Sequence, residues 1–169
     1  LLLSLQLAVK SVCGEVIEVG SFHGRATVAM GRLLAEIGAE RKLFAIDPGT
    51  NEWVGGVGCH RKEFARNVVD ANLENIVCAL ECHPEMIDFE WSESVAFALI
   101  DGDHGPRAVR RDFELMEPWV VPGGIVAYHD DSYTEFPGVW VQCRRMEMRY
   151  GWGLVMRAEK LSVFQKPQQ

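Results

Sequence analysis

Short apolar runs alternate with amphipathic stretches along most of the chain. Val16, Ile17 and Val19 form a β-branched run that is too short for a helix and predicts a buried strand. In residues 26–37 the apolar positions follow a three-four spacing, which predicts an amphipathic helix that ends at Gly38. By the same criteria, further strands are predicted at 43–46, 76–80, 95–100 and 125–128, and further helices at 61–71, 106–117 and 138–150.

The order of these elements predicts an α/β fold. Residues 154–158 and 161–164 indicate a final β-hairpin, which makes seven strands in a mostly parallel sheet with helices on both faces. Residues 95–100 are uniformly apolar, as in a central strand, and residues 1–9 suit a helix packed on the domain. We expect residues 1–169 to form a single domain. The chain begins with Leu1 rather than Met, which leaves open a missing N-terminal, substrate-binding extension.

Composition excludes several classes of protein. A formal charge of −7, from 17 basic and 24 acidic residues, argues against nucleic acid bound through a general basic surface. The five cysteines are odd in number and lack C-x-x-C spacing, which argues against a disulfide framework or a zinc ribbon and for a reducing cytoplasm. The apolar residues 1–9 lack a basic leader and are too few to span a membrane, so no membrane partner is expected.

The first strand leads into a turn bounded by Gly20 and Gly24 and then into a helix. Glycine lets the backbone adopt unusual torsions and lets a ligand approach the main chain, while the helix N-terminus directs its N–H groups into the same space. The G-x-x-x-G spacing departs from the G-x-G-x-x-G dinucleotide fingerprint, so a nicotinamide cofactor is the weaker interpretation. A plain strand-turn-helix junction with two glycines is the alternative.

Polar residues follow the other strands as well. Asp47 follows the strand 43–46, at the edge where ligands bind in open parallel sheets. Its carboxylate can accept hydrogen bonds from ribose hydroxyls, or it can simply open a turn with Pro48. The glycine-rich residues 51–60 are predicted to lack regular structure and to lie along the rim of the site, as a closing segment or a plain loop. Two adjacent strands end at Asp101 and at Asp130, so carboxylates are expected at one edge of the sheet.

These motifs together resemble those of a known family. The E-x-G-x-x-x-G stretch from Glu18 to Gly24 looks like the first motif of class I S-adenosylmethionine-dependent methyltransferases. The strings FALIDGDH (97–104), PGG (122–124) and IVAYHDD (125–131) closely resemble small bacterial macrocin- and cephalosporin-type O-methyltransferases and, more distantly, catechol and caffeoyl-coenzyme A O-methyltransferases. The resemblance implies a Rossmann-like fold with S-adenosylmethionine contacted by Glu18, Gly20, Ser21, Phe22, Gly24, Asp47, Cys82, His83 and Asp101, although the match at Cys82 and His83 is loose.

The same resemblance implies a catalytic site. Such enzymes hold a divalent cation through positions that correspond to Asp101, Asp130 and Asp131, which implies Mg²⁺ or Mn²⁺ here. The lysine base of the catechol and caffeoyl enzymes corresponds by position to His104. Its imidazole is suited to accept a proton at neutral pH, although it could equally be a helix-start residue bonded to a carboxylate. His129 is a second candidate base, unless it points into the core.

The function implied is transfer of a methyl group from S-adenosylmethionine to a hydroxyl of a small molecule. A nicotinamide-dependent oxidoreductase and a non-catalytic S-adenosylmethionine-binding domain are the alternatives, and three converging carboxylates argue against the second. The acceptor and the formation of a homo-oligomer are left open by the sequence.

Overall fold

The computed structural model describes residues 1–51, 56–57, 59–86 and 91–168. Helices and strands alternate along them. The elements are α1 (Leu2–Ser11), β1 (Glu15–Val19), α2 (Arg25–Glu36), β2 (Leu43–Ile46), β3 (Thr50–Asn51), β4 (Gly56–Val57), α3 (Cys59–Asp70), β5 (Val77–Leu80), a 3-10 helix (Pro84–Met86), β6 (Val95–Ile100), α4 (Pro106–Met116), β7 (Val120–Tyr128), α5 (Pro137–Met148), β8 (Gly153–Ala158) and β9 (Leu161–Gln165).

Seven of the strands form one sheet in the order β5-β2-β1-β6-β7-β9-β8. The first five of these strands are parallel, whereas β9 runs antiparallel to both β7 and β8. The predicted fold class, a seven-stranded mostly parallel sheet with a C-terminal antiparallel hairpin, is therefore confirmed. The parallel strands all end at the same edge, and the turns that carry the candidate site residues lie there.

Alternate residues of each central strand enter two separate cores. Val16, Leu43 and Phe97 pack with α1, α2 and α3, whereas Ile17 and Ala98 pack on the opposite face with α4 and α5. All six residues of β6 are buried. Both faces of the sheet are thus covered by helices, as the uniformly apolar pattern of β6 predicts.

The Pro122-Gly123-Gly124 segment differs from its prediction. It lies inside β7 rather than in a turn before the strand, and pairing with β6 passes from Val95–Val120 directly to Phe97–Ile125. The extra residues of β7 bulge out of the ladder, and Gly123 adopts a φ of +79°. Strand pairing on both sides of the bulge explains why β7 begins earlier than its apolar run suggests.

The predicted irregular stretch at 51–60 is partly ordered. β3 and β4 form a two-residue antiparallel pair, and α3 begins at Cys59. The glycine-rich positions 52–55 and 58 lie outside the described residues, so the predicted closing segment stays a prediction. Among the described residues, no helix combines the length and the apolar character needed to cross a bilayer.

Candidate active site

The turn after β1 is packed directly against the end of β6. The Gly20 N–H donates to the carbonyl oxygen of Ile46 at 2.9 Å, and the Asp101 N–H donates to that of Val19 at 2.9 Å. Gly20 has a φ of +87°, and a Cβ at this position would overlap the backbone of Asp101 and Gly102. This packing requires glycine at position 20, because a side chain would displace the segment that follows β6; the predicted contact of Gly20 with a cofactor stays a prediction.

Glu18 lies behind this turn rather than on its open side. Glu18 is only 1% exposed, and its Oε2 accepts a hydrogen bond from the Thr27 hydroxyl of α2. Burial raises the pKa of Glu18 to about 8, and the nearby carboxylates of Asp101 and Asp47 add to this rise. In this arrangement Glu18 anchors α2 to β1, and its predicted contact with a cofactor stays a prediction.

Asp47 joins three segments at the end of β2. Its Oδ2 accepts the Phe22 N–H at 2.9 Å, and its Oδ1 accepts the Gly49 N–H at 2.8 Å. The buried imidazole of His60, which the sequence analysis missed, lies 3.6 Å from Oδ1 through its Nε2. Asp47 thus makes the turn contact that was the alternative interpretation, and each carboxylate oxygen keeps a further lone pair for a ligand.

A cavity of about 270 Å³ lies beside Asp47, between α3 and the strands β2 and β5. Most of its wall is apolar, and the lining includes Ser21, Phe22, Ala45, Asp47, His60, Phe64, Val68, Val77, Ala79, Leu80 and Glu81. Cys82 and His83 do not line it: Cys82 packs partly buried against the α4–α5 core, and His83 is exposed. Of the predicted cofactor residues, the structure gathers Ser21, Phe22 and Asp47 around this space.

Two carboxylates and two imidazoles meet at the ends of β6 and β7. We call Asp101, His104, His129 and Asp130 the Asp–His cluster. The His104 Nε2 lies 3.8 Å from Asp101 Oδ1 and 3.2 Å from Asp130 Oδ2, and the His129 Nδ1 lies 3.3 Å and 3.4 Å from the same two oxygens. His129 is 49% exposed and therefore does not point into the core.

The electrostatics of the cluster follow from these contacts. Burial opposes ionisation of Asp101, but the two imidazoles outweigh it and lower the pKa of this carboxyl. The contact with Asp101 raises the pKa of His129. The His104 Nε2 atom is buried between the two carboxylates, at 3.8 Å from Asp101 Oδ1 and 3.2 Å from Asp130 Oδ2.

His104 is held in place by α5 and the segment before it. Its ring packs against that of Phe136 in a tilted arrangement, with a centroid separation of 4.3 Å and an interplanar angle of 31°. A Cβ on Gly138 would overlap the carbonyl oxygen of His104, so only glycine lets α5 approach this closely. The sequence analysis missed Phe136 and Gly138, since no local pattern relates them to a residue more than thirty positions earlier.

Asp131 does not join the Asp–His cluster. Its Oδ2 accepts the Ser162 hydroxyl at 2.5 Å and lies 3.2 Å from Arg157 Nε and 3.4 Å from Arg144 Nη2, with the side chain 2% exposed. Among the described residues, the set whose ligand atoms all lie within 4.8 Å of one another is Asp101, His104 and Asp130. The structure does not bring the predicted set of Asp101, Asp130 and Asp131 together, because arginines hold the third carboxylate, and metal binding stays a prediction.

Comparison with known proteins identifies the family to which the chain belongs. Residues 17–130 match a family model described as a methyltransferase domain, and the chain belongs to this family. Three solved structures share its fold. The O-methyltransferase NovP is 19% identical, with a TM-score of 0.78 over 99% of this chain and 78% of that chain. The TDP-rhamnose 3'-O-methyltransferase CalS11 is 17% identical, with a TM-score of 0.72 over 97% of this chain and 76% of that chain. The O-methyltransferase TomG from Streptomyces achromogenes, in complex with SAM, is 15% identical, with a TM-score of 0.69 over 99% of this chain and 79% of that chain.

Proposed function

We propose that the protein transfers a methyl group from S-adenosylmethionine to a hydroxyl group of a small molecule. The observation that carries this proposal is the Asp–His cluster, which places two imidazoles within 3.2–3.8 Å of two carboxylate oxygens at the carboxyl edge of a methyltransferase sheet. O-methyltransferases among the similar structures support a hydroxyl acceptor.

The space beside Asp47 suits the nucleoside part of the cofactor. Its apolar wall, with Phe22 and Phe64, can cover the faces of a purine, and the free lone pairs of Asp47 can accept hydrogen bonds from ribose hydroxyls. The turn that contains Ser21 and Phe22 connects this space to the end of β6. A cofactor bound along this turn would therefore reach from the cavity toward the Asp–His cluster.

S-adenosylmethionine, when bound, supplies an electrophilic methyl group on a sulfonium sulfur. The chain must then supply a base, since an alcohol is poorly ionised at neutral pH. Both histidines are candidates, but the His104 Nε2 is buried, whereas His129 is half exposed. With its Nδ1 held by Asp101 and Asp130, His129 keeps Nε2 on the opposite edge of its ring to accept the hydroxyl proton.

The reaction moves the methyl group from sulfur to oxygen. The acceptor O–H bond breaks and its proton passes to His129, while the oxygen forms a bond to the methyl carbon and the bond from that carbon to sulfur breaks. The carboxylates of Asp101 and Asp130 orient the imidazole and stabilise its protonated form. The expected Mg²⁺ site of three carboxylates does not fit, because Asp131 is paired with Arg144 and Arg157, and no step is assigned to it.

Calorimetric titration tests which cofactor the protein binds. We expect binding of S-adenosylhomocysteine and no binding of NAD, and the reverse would support the oxidoreductase alternative. Asp47→Asn should weaken S-adenosylhomocysteine binding by about 1–3 kcal/mol through loss of a charge-assisted contact. Asp70→Asn, a change at an exposed carboxylate at the end of α3, is the matched control.

A methyl-transfer assay tests whether His129 is the base. With a panel of hydroxylated small molecules, formation of S-adenosylhomocysteine should fall by about 10²–10⁴-fold in His129→Ala, while cofactor affinity is retained. Arg32→Ala, at an exposed residue of α2, should leave the rate unchanged. If His129→Ala keeps its rate and His104→Ala loses it, the base is His104.

A further inference from the structure

We propose that His60 is a second ribose-binding residue, whose Nε2–H donates to the oxygen of the same hydroxyl group that donates its proton to Asp47. This inference deepens the proposed function and rests on it, because the ligand is the ribose of S-adenosylmethionine. Ribose recognition can nevertheless be measured with S-adenosylhomocysteine and its deoxy analogues, without any methyl acceptor.

The position of the His60 ring is set by three elements. His60 is the second residue of α3, and its side chain is only 6% exposed. Its ring packs against that of Phe22 at a centroid separation of 5.4 Å, and the Phe22 N–H in turn donates to Asp47 Oδ2. The imidazole therefore lies between the turn after β1 and the end of β2, beside Asp47 in the wall of the mostly apolar cavity.

The spacing between His60 and Asp47 carries the argument. The His60 Nε2 lies 3.6 Å from Asp47 Oδ1, which is longer than the range of about 2.7–3.2 Å for a hydrogen bond. The Gly49 N–H already occupies one lone pair of Oδ1. The contact with His60 uses neither the other lone pair of Oδ1 nor the imidazole N–H. A donor and an acceptor thus lie side by side in the lining of one cavity.

A hydroxyl group matches this pair of groups. It donates one hydrogen bond and accepts up to two, whereas an ionised carboxylate can only accept. Asp47 alone would therefore bind the proton of a ribose hydroxyl and leave the oxygen without a donor. The Nε2–H of His60 supplies that donor, and the negative charge of Asp47 favours the imidazole tautomer with its hydrogen on Nε2.

The opposing explanation is that His60 only fills space beside Phe22. A phenylalanine would fill this space as well, and burial of a polar imidazole in a mostly apolar wall is unfavourable unless its N–H finds an acceptor. The two explanations differ in what they predict for ligands. If the ring only packs, its replacement affects all ligands with the same purine equally; if it binds a hydroxyl, the effect depends on that hydroxyl.

Calorimetric titration with S-adenosylhomocysteine and its 2′-deoxy and 3′-deoxy analogues separates the two explanations. His60→Phe keeps an aromatic ring but has no N–H, and it should weaken S-adenosylhomocysteine binding about three- to tenfold, the loss expected for one hydrogen bond. With at least one of the two analogues, His60→Phe should have no effect, and Asp47→Asn should lose its effect with the same analogue. His60→Gln, which retains an N–H donor, should recover most of the affinity.

His23 offers a matched control. Its Nε2 lies 3.3 Å from Glu63 Oε2, so this pair also joins the turn after β1 to α3, but His23 is 43% exposed and does not line the cavity beside Asp47. His23→Phe keeps the stacking on Phe22, whose ring lies 3.8 Å away between centroids. It should leave the affinity for all three ligands unchanged.

Three results would overturn the role of His60. They are an unchanged affinity for S-adenosylhomocysteine in His60→Phe, an equal loss for all three ligands, and different insensitive analogues for His60→Phe and Asp47→Asn. Circular dichroism confirms that each variant is folded, and His60→Leu replaces His60→Phe if the larger ring destabilises α3. Failure of the unaltered protein to bind S-adenosylhomocysteine would instead refute the proposed function, and this inference with it.

Discussion

Glu18→Gln should make the stability of the protein less dependent on pH. Glu18 is fully buried, and its pKa is raised from 4.5 to about 8 in the folded state. The folded protein therefore binds this proton more tightly than the unfolded chain does. The associated stability is complete below pH 4.5 and is lost as the pH rises toward 8.

The size of the effect follows from the two pKa values. Between pH 4 and pH 7, the unfolded chain releases the proton while the folded protein mostly retains it. At 1.36 kcal/mol per pKa unit, this lowers the free energy of unfolding by about 3 kcal/mol. Glutamine has nearly the same shape, can still accept from the Thr27 hydroxyl and does not titrate. Its amide protons add a cost that is constant with pH, so the slope is the quantity to compare.

Urea unfolding at several pH values between 4 and 8, without cofactor, measures this slope. The free energy of unfolding of Glu18→Gln minus that of the unaltered protein should rise by about 3 kcal/mol between pH 4 and pH 7. Asp112, whose burial raises its pKa to about 6, titrates in both proteins and cancels in the difference. Glu36→Gln, at the exposed end of α2, should show no such rise. If the free energy of unfolding changes with pH equally in Glu18→Gln and in the unaltered protein, Glu18 is not protonated in its buried position.

Two further changes test the supports of the site. Gly138→Ala should lower the free energy of unfolding by about 1–3 kcal/mol in thermal melts, because its Cβ would overlap the backbone at His104. The control Gly31→Ala should cost less, because its Cβ would meet only the flexible end of a leucine side chain. Arg157→Ala should cost about 1.5–3 kcal/mol in urea unfolding, since it removes a charged partner of the buried Asp131. Equal stability of Arg157→Ala and the exposed control Arg32→Ala would contradict that role.

Much of the sheet could be predicted from the sequence because strand signals are local. The apolar run 95–100 identifies a strand buried on both faces without reference to its neighbours, and β6 has these bounds. The bulge at Gly123 could not be predicted from the local sequence, since it depends on how β7 pairs with β6. The polar residues after each strand were correctly expected at one edge, because parallel strands end together.

The contacts of the individual carboxylates were less predictable. Asp130 and Asp131 are adjacent in sequence, and the resemblance gave both the same role. Their separation depends on a positive φ at Asp130 and on arginine partners 13 and 26 residues beyond Asp131, which no local pattern encodes. Similarly, the pattern of glycines located the turn at Gly20, but only the packed structure shows that the turn must clear the backbone of Asp101.

The antiparallel pairing of β7 with β9 has a consequence for synthesis of the protein. The family match ends at residue 130, yet β7 obtains its second neighbour only from residues 161–165, and Asp131 obtains its hydroxyl partner from Ser162. A nascent chain that has left the ribosome only as far as α5 therefore presents the apolar segment from Ile125 to Tyr128 as an unpaired edge. Such an edge is a template for aggregation, so β9, which emerges after α5, also protects the strand with which it pairs.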